Sequence, residues 1–242
     1  EPVAAPTNQG INDGIPSVNR ETNPLSVLLD DSETFNLSTD ALDLVVSADG
    51  GDVVSASLPK FPVRLDTPNQ PFRLLENNNL RRYVAQSGLI GPDGIDASGN
   101  RARYASQGVI DNGDGSHTLT LAWMGNDPLG MQVYKRFTAH DDRYDVNVSF
   151  DIRNDGRSIA SVTAFAQLKR DNTQAPDGNT GFGVSPYLGA ALTQPDERYT
   201  KLSFSDLNDE PFSKRLPAGW VAILQHYFVS AWIPSQQANH DY

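Results

Sequence analysis

The stretch YDVNVSFDI, Tyr144–Ile152, carries the pattern that decides the fold: Tyr144, Val146, Val148, Phe150 and Ile152 alternate with Asp145, Asn147, Ser149 and Asp151. A period of two places the first set on one side of an extended chain and the second on the other. The segment therefore reads as a strand with one face against a core and one face in water. Outward from it lie HTLTLAWM (117–124), MQVYKRFT (131–138) and IASVTAFAQL (159–168). They are separated by DNGDGS (111–116), GNDPLG (125–130), HDDR (140–143) and RNDGRS (153–158), all rich in residues that favour turns. Together these segments predict an antiparallel meander of four strands. Further upstream, ALDLVVSADGGDVVSASLP (41–59) predicts a hairpin whose turn, Asp49 to Asp52, uses Gly50 and Gly51 for positive φ.

Near the other end stands GWVAILQHYFVSAWIP, residues 219–234. It is too short, and too interrupted by Gln225 and His226, for a spanning helix of about 20 apolar residues. Trp220, Ala222 and Leu224 on one face and Val221 and Ile223 on the other predict a central strand covered on both sides, with YFVSAWI repeating the pattern. Helical periodicity is scarce. QPDERYTKLSF (194–204) is the one segment that reads as a short helix, with Pro195 ahead of an Asp196 N-cap. Antiparallel sheets with an apolar face need a second layer, so the expected fold class is all-β, a sandwich with at most one or two short helices.

Composition narrows the chemistry. Of 242 residues, 19 are Lys or Arg and 30 are Asp or Glu, a net charge of −11. Such a chain is repelled by nucleic-acid backbones and anionic lipid surfaces. With no cysteine there is no thiolate nucleophile, disulfide or Cys-based zinc site. His117, His140, His226 and His240 stand far apart and form no H-x-x-x-H or H-E-x-x-H pattern, and no G-x-S-x-G elbow is present. GPDGIDASGN (91–100) and DNGDGS offer carboxylates at short spacing, yet neither matches a calcium loop, and both read as hairpin turns. The residues thus point to no catalytic group, metal or cofactor.

Seven segments, in order, resemble one known family: ALDLVVSADGGDV, LPKFP (58–62), QPFRLLE (70–76), AQSGLIGPDG (85–94), FAQLKR (165–170), GAALTQPDERYTKLSF (189–204) and GWVAILQHYFVSAWIP. They are similar to the large periplasmic domain of the YidC membrane protein insertases of Gram-negative bacteria, and the likeness runs from about residue 40 to the C-terminus. It implies an antiparallel β-supersandwich resembling the galactose mutarotase fold, spanning 40–242. Residues 1–39, where Pro2, Pro6, Pro16 and Pro24 alternate with polar residues, would be the flexible periplasmic linker that precedes it.

The resemblance also implies a location on the periplasmic face of the inner membrane and a non-enzymatic, accessory part in membrane protein insertion. Partners would be SecD/SecF with the Sec translocon, and nascent membrane proteins through the full-length protein. A cleft would take an extended substrate or ligand. The SecF-contacting region would fall roughly within residues 145–195, which makes Gln167, Lys169, Arg170, Gly189 and Gln194 the contact candidates, while Phe165 and Leu168 read as core. In that family further strands follow the AWIP segment, so an exposed edge is expected near the end of this sequence. The rival reading, from the same fold resemblance, is a sugar-binding or aldose-epimerase-like protein with Trp123, Trp220 and Trp232 available for stacking.

Overall fold

The computed structural model describes residues 33–96, 100–125, 130–171, 187–225 and 227–242. Its first half is built of β1 (Thr34–Ser38), β2 (Asp43–Ser47), β3 (Val53–Pro62), β4 (Pro71–Asn77), β5 (Arg82–Ile90), β6 (Tyr104–Asp111), β7 (Ser116–Trp123) and β8 (Met131–His140). The second half adds β9 (Val146–Asn154), β10 (Thr163–Arg170), β11 (Leu188–Leu192), β12 (Thr200–Leu202), a short helix α1 (Phe204–Asp209), β13 (Arg215–Pro217), β14 (Val221–Gln225), β15 (Phe228–Trp232) and β16 (Asn239–Asp241). The fold is all-β, as expected.

Six strands form one sheet in the order β1-β2-β3-β4-β5-β10, and four form a second, β6-β7-β8-β9. A third sheet runs β12-β11-β14-β15, and β13 pairs with β16. The main core lies between the first two sheets: Leu37, Leu44, Val46, Val53, Leu75 and Tyr83 meet Tyr104, Leu119, Leu121, Phe137 and Ala139, with Ile223 of β14 joining them. Burying each large apolar side chain stabilises the sandwich by about 1.5 to 3 kcal/mol relative to leaving it in water. A smaller cluster, Leu89, Met131 and Val133, continues the interior.

The hairpin of residues 41–59 is present. β2 and β3 pair antiparallel, and Gly50 and Gly51 take φ of 77° and 56° in the turn. The alternation of 144–152 is present as well, but that face is half-covered: Tyr144 is 49% exposed, and Val146, Val148 and Phe150 are half-buried. β9 is the outer strand of its sheet, so its apolar face meets a core on one flank only.

Four expectations need correction. The meander consists of β6 to β9, whereas the fourth segment read into it crosses to the other sheet, where β10 pairs with β5 from Thr163↔Ile90 to Arg170↔Tyr83. RNDGRS is therefore part of a crossover, because β10 completes its ladder on β5. Likewise GPDGIDASGN is no hairpin turn. It connects β5 to β6 in different sheets, and Asp96 within it is fully buried.

The helix expected over 194–204 is displaced. Thr200–Leu202 pairs with β11, and α1 begins after Ser203, whose hydroxyl accepts from the Asp206 N–H while the Asp206 carboxylate accepts from the Ser203 N–H. That reciprocal capping box, S-F-S-D, outweighs an Asp196 cap because it satisfies two orphan backbone donors at once. Finally, YFVSAWI is not covered on both faces. β15 is the outer strand of its sheet, with Phe228, Ser230 and Trp232 half-buried and Val229 and Ala231 exposed. Trp220 lies just ahead of β14, half-buried beside Tyr199 at 6.2 Å between ring centroids. β1 over Thr34–Ser38 precedes the boundary expected near residue 40, and residues 1–32 lie outside the described ones.

Candidate partner-contact site

β10 brings Gln167, Lys169 and Arg170 together. Its sequence, TAFAQLKR, seats Phe165 as the strand's buried side chain and leaves Gln167 to Arg170 half-buried. β10 is an end strand of the six-stranded sheet, so one flank is laddered to β5 while β15 of the third sheet approaches it. There the Trp232 indole Nε1 donates to the Gln167 carbonyl at 3.1 Å.

The three side chains have different surroundings. Gln167 Nε2 donates to Gln86 Oε1 at 2.9 Å, and Gln86 Nε2 donates to Asp52 Oδ2 at 2.6 Å, so Gln167 is the outermost member of a chain running inward. Lys169 keeps a half-buried ammonium whose pKa is pushed down, first by burial and then by the nearby Arg82 charge. The Arg170 guanidinium packs over the Tyr83 ring at 5.3 Å, and Arg81 lies 5.6 Å from the same ring. Burial and the Arg81 charge lower the Arg170 pKa, and it remains cationic at any physiological pH. Arg170 is thus a packing residue as much as a charge.

Gly189 and Gln194 sit elsewhere, on β11 and the turn after it. Gly189 is buried and pairs with Leu224, and a Cβ added there would collide with the Tyr187 hydroxyl and meet the Leu202 carbonyl at 3.0 Å. Its role is close approach of strands. The Gln194 side chain donates to Thr200 Oγ1 at 2.9 Å and accepts from Lys214 Nζ at 3.0 Å, while its N–H bonds the Glu197 carbonyl. The Gln194 amide nitrogen and backbone hold the β11–β12 turn, and its oxygen ties that turn to Lys214 ahead of β13.

Inward of Gln86 is a cluster that sequence reasoning missed. Lys135 of β8 is fully buried, and its Nζ donates to the carbonyls of Gly50 at 2.9 Å and Ser87 at 2.8 Å. Arg101 pairs with Asp52 at 2.5 Å and Asp96 at 2.9 Å, donates to the same two carbonyls, and packs over Phe165 at 5.2 Å. Asp96 also accepts from the Leu89 and Ala102 N–H groups, each at 3.0 Å. Burial pushes the Lys135 pKa down to about 7, against the opposing pull of Asp52 and Asp96. The signal available in sequence was the odd Lys in VYKRF, standing where the alternation of MQVYKRFT demands an inward apolar residue.

A second polar group, Arg81 with Glu76 at 2.9 Å and Gln225 at 2.5 Å, joins β4 to the end of β14. The remaining feature is a set of rings at the junction of three sheets, Phe61 and Phe72 with Phe228 at 5.8 and 4.1 Å, and Tyr144 against Phe61 at 5.9 Å. Among the described residues no helix is long and apolar enough to cross a membrane.

Fold and site together define a β-sandwich domain whose buried ionic groups, Lys135 and the Arg101–Asp52–Asp96 set, join its two main sheets. The family model for the YidC periplasmic domain matches residues 34–242. A membrane protein insertase YidC of Pseudomonas putida is 40% identical over 237 residues, covering 96% of this chain and 42% of the relative. That of Pseudomonas entomophila is 40% identical over 241 residues with the same coverage, and that of Pseudomonas paraeruginosa 39% over 229 residues, covering 85% of this chain and 39% of the relative. The chain belongs to the YidC periplasmic domain family. It spans about two-fifths of the length of the relatives it matches.

Proposed function

We propose that this chain serves as the periplasmic accessory domain of an inner-membrane protein insertase, binding rather than catalysing, with β10 as its contact strand for SecD/SecF. The observation that supports this most is the family membership together with the placement of the half-buried Gln167 and Lys169 on an end strand. Gln167 offers amide groups and Lys169 a cation, and an acidic partner surface placed against Lys169 gains attraction that reversal would turn into repulsion. Gly189 and Gln194 take no part in this reading, since one has no side chain to offer and the other is fully engaged. Nascent membrane proteins are handled by the remainder of the full-length protein, and this domain tunes its assembly with the Sec translocon.

The test uses the full-length protein in membranes and the variant Lys169→Glu, with Lys169→Arg as control. Co-purification of SecDF is expected to drop several-fold for Glu and to survive for Arg. Arg170 is left intact, because removing it would disturb the packing on Tyr83. Equal recovery of SecDF with all three proteins would refute the assignment of β10.

A further inference from the structure

We propose that the buried Asp52–Arg101–Asp96–Lys135 cluster is a pH-responsive latch between the two main sheets, and that its state is transmitted to the β10 face through Gln86 and Gln167. The geometry has three parts. First, Lys135 comes from β8 of one sheet, whereas both carbonyls that it holds, Gly50 and Ser87, belong to the other, in the β2–β3 turn and β5. Second, Arg101 holds the same two carbonyls and both carboxylates, so the cluster is one connected unit. Third, Asp52 passes the connection to Gln86 and Gln167, and Arg101 passes it to Phe165 of β10 by ring contact.

The groups facing Lys135 are Asp52 from the β2–β3 turn, Asp96 and Arg101 from the β5–β6 connection, and the rings of Phe137 and Phe150, each 5.4 Å from Nζ. Tyr104 lies close to the two carboxylates and Arg101 and stays protonated, since burial raises its pKa. Lys169 stands within the field of Asp52 and Arg101, which brings a second contact candidate into the same circuit. Lys135 itself changes charge near neutrality, at about 7.

The sign follows from proton counting. An amine exposed by opening has a pKa of about 10.4, so between about pH 10 and pH 7 the open form binds a proton that the closed form lacks. Opening therefore becomes up to about tenfold more favourable for each unit of falling pH in that window, and levels off below about 7, where both forms are charged. The latch is tightest in mild alkali and loosest at neutral and acid pH. Its bearing on a partner rests on β10 being the contact strand, but protection of β10 can be read with no partner present.

Hydrogen exchange of the whole 242-residue chain, corrected for intrinsic rates, tests the latch at pH 9, 7 and 6. In the unmodified protein, opening of 163–170 is expected to rise at least tenfold from pH 9 to 7 and to change little from 7 to 6. Lys135→Met, which keeps the length of the side chain and removes its charge, should flatten the profile. Persistence of the same profile in the variant, or a flat profile in the unmodified protein, overturns the latch. Should the variant fail to fold, a 13C titration of the Lys135 side chain decides: a midpoint near 7 with a coincident shift of the Gln167 amide supports the latch, and a midpoint above 10 or an unmoved Gln167 overturns it.

Discussion

Asp96 is fully buried, and its carboxylate accepts from Leu89 N, Ala102 N and Arg101. Removing it would leave Arg101 short of a counter-charge and two N–H groups without an acceptor. Asp96→Ala is therefore expected to cost about 3 to 5 kcal/mol in urea unfolding; a loss under about 1 kcal/mol would mean that the pair contributes little. Tyr104 behaves oppositely. Its ring is fully buried, yet its hydroxyl has no hydrogen-bond partner among the described residues. Tyr104→Phe should leave stability unchanged or raise it by about 1 kcal/mol, whereas Tyr104→Ala should cost about 3 to 5 kcal/mol. A Phe variant as damaged as the Ala variant would show that the hydroxyl is bonded. Neither behaviour was legible in the sequence. Asp96 sits in GPDGIDASGN among residues that favour turns, and only its folded contacts with Arg101, Leu89 N and Ala102 N reveal its burial, since hydrophobic periodicity carries no record of ion pairs.

At the level of elements, the strands with strict alternation were legible: β9 reads directly from YDVNVSFDI, and the β2–β3 hairpin from its Asp-Gly-Gly-Asp turn. What failed was pairing. Nothing local distinguishes a strand that continues a meander from one that crosses over, so the sequence pattern points to β10 beside β9, although its ladder is on β5. β15 failed for a similar reason, because apolar residues on both faces do not say whether a neighbour exists on either flank. Pro195-Asp196 carries a helix-start signal, yet the helix follows the S-x-x-D box at Ser203, whose two reciprocal hydrogen bonds fix its start. Ser203→Ala should cost about 1 kcal/mol, measured by thermal unfolding, and an equal loss in Asp196→Ala would revive the displaced helix. On β11, Gly189→Ala should destabilise by about 1 to 3 kcal/mol, since the Leu202 carbonyl cannot retreat without disturbing the β11–β12 ladder. The same substitution should leave SecDF binding by the folded protein unaltered.

For the whole molecule, pH brings the buried groups together in one curve. Lys135 has its pKa pushed down to about 7 and Tyr83 has its phenol pushed up to about 12, both chiefly by burial. The unfolded chain holds the extra proton between about 7 and 10 on account of the lysine, so stability rises with pH there, by up to about 1.4 kcal/mol per unit. Above about 10 the unfolded tyrosine ionises first while folded Tyr83 stays neutral, so stability falls again as pH climbs toward 12. Urea titrations at intervals across this range should trace a dome with its top near pH 9 to 10, and Lys135→Met should remove the rising side while keeping the fall. Of the contact candidates, Gln167, Lys169 and Arg170 share one strand, as the single segment FAQLKR implies, whereas Gly189 and Gln194 lie on and just after β11, a separation that hydrophobic periodicity does not reveal. Whether β10 is the contact strand is decided most directly by photocrosslinking in the full-length protein in membranes, with a photoreactive residue at Lys169 and, for comparison, at Ile110, which is 60% exposed on β6 of the other sheet. Crosslinks to SecD or SecF from position 169 and none from position 110 are the predicted result. No crosslink from 169, or equal crosslinks from both positions, would contradict it.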